Sequence, residues 1–270
     1  MKNIFRKMQI CMRNEWRNTF SYTFSFFFSW FLTLVGLGML YLLPYLTKRS
    51  FTFLLDGYSL SFFQYIISGI LINMFLVSTT KSFVVRVGQA RRIGFFESAI
   101  NTPTSLVTIL VAMYLQRLIF FLCINVPFFL LGIYLLHPAI SNFNLGAVVI
   151  IFILAQLIYF SLGLLLVSYL FLFENGEFLV NAIFNFFRVF CNIIFPISIL
   201  PKVFRVISDF IPVSYIFRAF RDALFIGDSL RLRLDIMLLL VFVIIALPFS
   251  IWIFHRSVEK VRMWGTLARY

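Results

Sequence analysis

Six long apolar runs, at 20–46, 60–80, 106–136, 145–173, 178–200 and 234–254, alternate with short polar stretches along the chain. A helix across a hydrocarbon core of about 30 Å takes roughly 20 apolar residues, so each run is predicted to be a membrane span. Ahead of the first run, Phe5, Met8, Met12 and Trp16 recur at helical spacing while Arg6, Arg13 and Arg17 gather on the opposite face. Basic on one side and aromatic on the other, residues 1–19 are expected to form an amphipathic helix lying in the headgroup region.

Two polar interruptions carry patterns of their own. The first, at 81–105, reads KSFVVRVGQARRIGFFESAINTPTS, with Lys81, Arg86, Arg91 and Arg92 between two spans. From Gly94 the apolar Phe95, Phe96, Ala99 and Ile100 fall on one arc of a helix, Glu97, Ser98 and Asn101 fall on the other, and Pro103 stops it. Such a helix is too short to be a domain and suits a contact point for something outside the membrane; Glu97, on its polar arc, is placed to meet a cytosolic partner through a charge-assisted bond.

The second interruption, 201–233, predicts two amphipathic helices joined at a proline. Pro201 opens one, with Val203, Val206, Ile207, Phe210 and Ile211 opposite Lys202, Arg205, Ser208 and Asp209, and Pro212 ends it. The next sets Ile216, Ala219, Phe220, Ala223 and Leu224 opposite Ser214, Arg218, Arg221 and Asp222, and Gly227 closes it. Arg218 and Asp222, four apart, have the spacing of a local ion pair. Neither half is long enough to span, so a hairpin dipping partway into the membrane is expected, with its charges on a wet face.

Composition agrees with the pattern: of 270 residues, 62% are hydrophobic and 12% charged, against about 25% charged in a soluble domain. The fold class expected is an all-α polytopic membrane protein of six spans, with no room for a soluble catalytic domain. The net charge of +13 is spread over the loops, which points to lipid headgroups and excludes a nucleic-acid partner. With the N-terminus cytoplasmic, thirteen Lys and Arg fall in inner segments and eight in outer ones, six of the eight in 201–233. That bias predicts both termini inside, 81–105 inside and the hairpin outside. No cleavable signal is expected, because five basic residues precede the first apolar run.

Candidate chemistry is sparse. Cys11, Cys123 and Cys191 are odd in number and offer no disulfide framework, and two histidines, His137 and His255, make no metal cluster. No lysine follows a glycine, so no phosphate loop exists and the chain is expected not to be an enzyme itself. Arg117 and Arg188 lie inside spans, where charge costs about 2.5–3.5 kcal/mol on insertion scales. They are candidates to line a translocation path, or else to snorkel or pair with neighbouring carbonyls.

The stretch Ile93-Gly94-Phe95-Phe96-Glu97-Ser98-Ala99-Ile100-Asn101-Thr102-Pro103 resembles the G-T-x-E-x-L-x-x-T-P segment after the second span of ATP-binding-cassette type 2 permeases. Phe195-Pro196-Ile197-Ser198-Ile199-Leu200-Pro201, followed by Ile211-Pro212, Arg221 and Gly227, resembles that family's signature before the last span. The resemblance implies one permease domain over 1–270, half of an exporter's membrane part, paired with a second copy or a paralogue. It implies two separate ATPase subunits, which would bind ATP and Mg, docked at 84–103 with Arg86, Arg91, Arg92, Gly94, Phe95, Phe96, Glu97 and Pro103 in the contact. It also implies that residues 1–19 are the connecting helix and that Pro196, Pro201, Pro212, Arg218, Arg221 and Gly227 shape an extracellular re-entrant pair. Location in the plasma membrane and an amphipathic cargo (drug, lipid or lipid-linked glycan) are the corresponding expectations. A membrane scaffold or anchor is the alternative from another class.

Overall fold

A computed structural model describes residues 62–100, 105–136, 143–173, 177–197 and 201–263, together with Phe28, Phe31, Val35, Gly36, Gly38, Met39 and Leu42. The predicted interfacial helix 1–19, most of the first apolar run, Pro103 and the links between these segments lie outside the described residues. Contacts divide the chain into two units, Met1–Ile67 and Ser68–Tyr270, and the second holds the helical bundle.

Every regular element among the described residues is helical. In order they are α1 (Phe62–Arg92), α2 (Phe95–Ile100), α3 (Leu106–Leu136), α4 (Leu145–Leu172), α5 (Glu177–Phe190), α6 (Lys202–Phe210), α7 (Pro212–Arg221), a π-helical turn (Asp222–Ile226) and α8 (Leu230–Met263). Four of them are long and apolar enough to cross a membrane: Gln64–Arg92, Leu106–Tyr134, Leu145–Leu172 and Leu230–Val261. The chain is a multi-pass membrane protein.

Side-chain contacts give the relative direction of α1 and α3. Early in α1, Leu71 lies where a Cβ on Gly132, late in α3, would sit 2.4 Å from its Cδ1. Later in α1, Phe83 meets Tyr114, early in α3, at 5.4 Å, so α1 and α3 run antiparallel. Gly163 of α4 takes Thr80 and Phe83 of α1 at 3.2 Å from its would-be Cβ; close approach over small residues is how helices pack in lipid. Within the most apolar stretches, α1 and α4 are 56% and 61% buried, against 22% for α3 and 17% for α8. The first two therefore form the centre, while α8 turns Met237, Ile244, Ile245 and Trp252 outward.

Several polar side chains at span depth bond internally, as hydrocarbon favours. Thr79, Ser161 and Ser168 donate to carbonyls three or four residues back, and Tyr114 Oη donates to Gln156 Oε1 at 2.8 Å.

Two apolar runs fold differently from the expectation. The run at 60–80 continues as helix through the charged stretch to Arg92. Lys81, Arg86, Gln89 and Arg92 are exposed while Phe83, Val84, Val87 and Ala90 are buried, so the helical stripe persists where the composition changes. At about 1.5 Å per residue, 31 residues reach some 46 Å, more than the hydrocarbon thickness. The run at 178–200, by contrast, holds only a 14-residue helix, α5, of about 21 Å. Bends over 191–195 follow, with Asn192 at φ 61 and the buried Pro196 just beyond. Proline lacks an N–H and biases its predecessor to extended backbone, so the helix cannot resume there.

Candidate functional site

The site is built at the end of the bundle where α1 stops. The N–H groups of Ile93 and Gly94 close the last turn onto the carbonyls of Gln89 and Arg91, at 3.2 and 3.0 Å. Gly94 then takes φ 71, the left-handed conformation that glycine adopts without a Cβ clash. That single residue redirects the chain into α2. The apolar arc read from the sequence divides. Phe96 and Ala99 are buried at 2% and 4%, whereas Phe95 stays exposed at 38%. The ring of Phe96 sits edge-on to Phe171 of α4 at 5.1 Å, and Phe171 sits edge-on to Phe254 of α8 at 5.8 Å. A three-ring chain thus keys the short helix to both long helices behind it.

Arg91, assigned by the resemblance to the ATPase contact, turns inward. It donates to the Leu170 carbonyl and lays its guanidinium 5.7 Å from the Phe171 ring centre. Arg86 and Arg92 are exposed on α1. Glu97 lies in α2, the element predicted for it, and Pro103 lies outside the described residues. Leu170, Phe171 and Phe254 are the partners that sequence reasoning missed, since nothing in an apolar run marks which phenylalanine faces a neighbour. Beyond Phe254, α8 buries Val258 and Val261 and exposes Arg256, Glu259 and Lys260.

The opposite end of the bundle holds α6 and α7, the two short helices predicted within 201–233. Their boundaries are as expected: Pro201 precedes α6, Pro212 begins α7, and Gly227 ends the π-helical turn at φ 83 with its N–H bonded to the Asp222 carbonyl at 2.9 Å. The polar faces depart from the expectation, since Ser208, Ser214, Arg221 and Asp222 are buried. Val203, Val206, Ile207 and Phe210 of α6 are exposed and Ser208 is its buried residue. Ser208 Oγ donates to the Phe190 carbonyl, freed where α5 stops, and lies 3.2 Å from Ser214 Oγ.

Arg221, placed by the pattern on a wet face, is fully buried. Its Nη1 donates to the Asn192 carbonyl at 2.7 Å, Nη2 to the Ile193 carbonyl at 3.0 Å, and Nε to Ser68 Oγ of α1 at 3.1 Å. The reason is the break after α5, which frees carbonyls that need donors. Arg218 closes its fork on Asp235, 1% exposed, with Nε 2.7 Å from Oδ2, and stacks 4.7 Å over Tyr215. That bond holds the Arg218 guanidinium above its usual range, the Asp222 charge adding a lesser part. Asp222 itself is buried, with Oδ2 3.8 Å from Arg231 Nε. The start of α4 is tied in too: Asn144 N–H bonds the Ala223 carbonyl at 3.1 Å and its side chain caps Ala147 N–H at 3.0 Å.

The two span arginines do not share an environment. Arg117 on α3 is buried at 9%, and Arg188 on α5 is exposed.

Among curated proteins no relative matches the chain. Residues 6–225 match the ABC-2 type transporter family, a stretch that takes in the short helix, its Phe171 partner and the hairpin through Arg221. The chain belongs to the ABC-2 type transporter family and is a membrane permease of that class.

Proposed function

We propose that the protein is the transmembrane subunit of an ATP-driven exporter in the plasma membrane, powered by two separate ATPase subunits that dock on α2. The observation that carries this is the keying of α2: a short helix, set off by a left-handed glycine, whose Phe96 is wedged against Phe171 and, through it, Phe254. A push on such a helix is felt by two long helices at once, because packed aromatic side chains transmit displacement. The exposed Phe95, Arg86 and Arg92 beside it supply apolar and charged contact surface. Without a phosphate loop in its sequence, the chain takes its energy from outside.

In this reading six spans cross the membrane, the first of them at 20–46. The N- and C-termini and α2 are cytoplasmic, as the excess of Lys and Arg favours, and the 201–233 hairpin is a re-entrant element of the outer side. A second permease copy or a paralogue completes the passage, and alternating opening of the pair moves cargo outward. The cargo is amphipathic, a drug, a lipid or a lipid-linked glycan, taken from the bilayer. Purification in detergent tests the partner: an ATPase carrying both nucleotide motifs is expected to come down with the wild-type chain and to be lost with Glu97→Arg. A wild-type preparation that brings down no ATPase would leave a scaffold or anchor as the better reading. ATPase stimulation in liposomes, across lipids, glycans and drugs, identifies the cargo.

A further inference from the structure

The end of α5 is an unusual place in a membrane protein. About 21 Å after it begins, the helix stops, and its last carbonyls and those beyond are left without intrahelical partners. Irregular backbone at membrane depth persists only where protein groups satisfy it. Here the hairpin supplies those groups: Ser208 for Phe190, and Arg221 for Asn192 and Ile193. Asn192 adopts φ 61, which presents two successive carbonyls to one guanidinium. The planar fork of arginine fits such a pair, whereas a lysine ammonium offers a point charge.

The same guanidinium reaches a third segment. Its Nε bonds Ser68, and the neighbouring Gly69 lets the break approach α1 closely. A Cβ at Gly69 would stand 2.2 Å from the Ile193 oxygen and 2.6 Å from Arg221 Nη2. Three segments therefore meet at one buried side chain: the start of α1, the broken end of α5, and the hairpin where α7 passes into its π-helical turn. From Gly69 to Arg92, α1 is unbroken helix of about 35 Å, and it ends two residues before α2.

We propose that Arg221 is the positioning residue through which displacement of α2 reaches the far side of the protein: α1 carries the movement as a rod, and the Arg221 clamp passes it to the α5 break and the hairpin. This rests on the reading of α2 as the ATPase dock.

The test uses the permease–ATPase complex, with Cys11 and Cys123 replaced and spin labels at Val203→Cys and Leu230→Cys, both exposed positions. The inter-label distance is measured without nucleotide and after trapping with ATP and vanadate. The wild-type clamp is expected to give a shift on trapping. Arg221→Lys and Gly69→Ala are expected to trap as much nucleotide and to lose at least half of that shift. A shift that survives in both, or a trapped wild-type complex with no shift, overturns the proposal. Should Arg221→Lys not yield a folded complex, Ser68→Ala, which removes one bond of the clamp, carries the test by the same criterion. Failure of wild-type complex to trap any nucleotide would overturn the docking reading and this one together; trapping without a shift overturns this one alone.

Discussion

Phe96 meets Phe171 edge-on, with ring centres 5.1 Å apart and planes at 71°, and this contact joins the six-residue α2 to one of the two central helices of the bundle. Truncating a buried phenylalanine to alanine costs about 3–5 kcal/mol where the ring's whole environment is lost. A helix of six residues cannot hold itself in place without it. Phe96→Ala is therefore expected to release α2 while leaving the long helices folded. Hydrogen exchange at 95–100 should rise at least tenfold, with the Tm of the detergent-solubilised protein falling only a few degrees, and Phe96→Leu should restore most of the protection.

Gly94 sets the direction of that helix. At φ 71 a Cβ costs about 1–2 kcal/mol, so Gly94→Ala is expected to weaken ATPase binding roughly ten-fold, and Gly94→Asn, which tolerates this conformation better, by less. Titration of the ATPase against each variant in nanodiscs measures this. Equal affinity for the wild type and Gly94→Ala would contradict the role given to the turn.

How much of this was legible in the sequence depended on punctuation. Gly94, Pro201, Pro212 and Gly227 each mark a boundary that the structure respects, because glycine and proline act on the backbone directly. The arc of Phe95, Phe96 and Ala99 was readable as amphipathic, but which phenylalanine would be buried was not, since that depends on Phe171, 75 positions away from Phe96. The stop after Phe190 was hidden inside a continuous apolar run, with Pro196 as its one local sign. Arg221 was misplaced for the same reason. Helical periodicity put it opposite the apolar face, and only the freed carbonyls of Asn192 and Ile193 explain why a charge is buried there. The continuation of α1 through Lys81–Arg92 was present in the pattern but masked by composition, its exposed charges alternating with buried Phe83, Val84, Val87 and Ala90.

Two forked arginine–carboxylate pairs make an internal control. Asp235, with 2% of its side chain exposed, holds Arg218, while Asp228, 52% exposed, holds Arg233. Breaking a buried pair costs about 3–5 kcal/mol, and the low end applies because Arg218 keeps 23% of its side chain exposed. Asp235→Asn should lower Tm clearly, whereas Asp228→Asn should change it little at neutral pH. Arg233 holds the Asp228 carboxyl below its usual range. Whatever that pair adds to stability is present above the ordinary carboxylate value of about 3.9 and fades only as pH falls through the lowered folded value. Moving from pH 7 to pH 5 should therefore leave the difference between Asp228→Asn and the wild type unchanged.

Glycines at two helix contacts should differ in tolerance. A methyl at Gly132 meets the tip of Leu71, a flexible side chain, while a methyl at Gly69 meets the Ile193 backbone oxygen at 2.2 Å. Gly69→Ala is expected to cost more stability than Gly132→Ala by about 1–2 kcal/mol, because a rotamer can shift where a buried carbonyl held by Arg221 cannot. Paired unfolding curves in the same detergent would show the order, and the reverse order would contradict the close packing of the break on α1.

The central claim is that α2 is where an ATPase drives this permease. A photoreactive amino acid at Phe95, exposed on α2, compared with one at Ile244, exposed on the outward face of α8, tests it most directly. In intact membranes the Phe95 probe is predicted to yield an adduct with an ATP-hydrolysing subunit, and the Ile244 probe to yield none. An ATPase adduct at Ile244 alone, or no ATPase adduct at Phe95, would contradict the account.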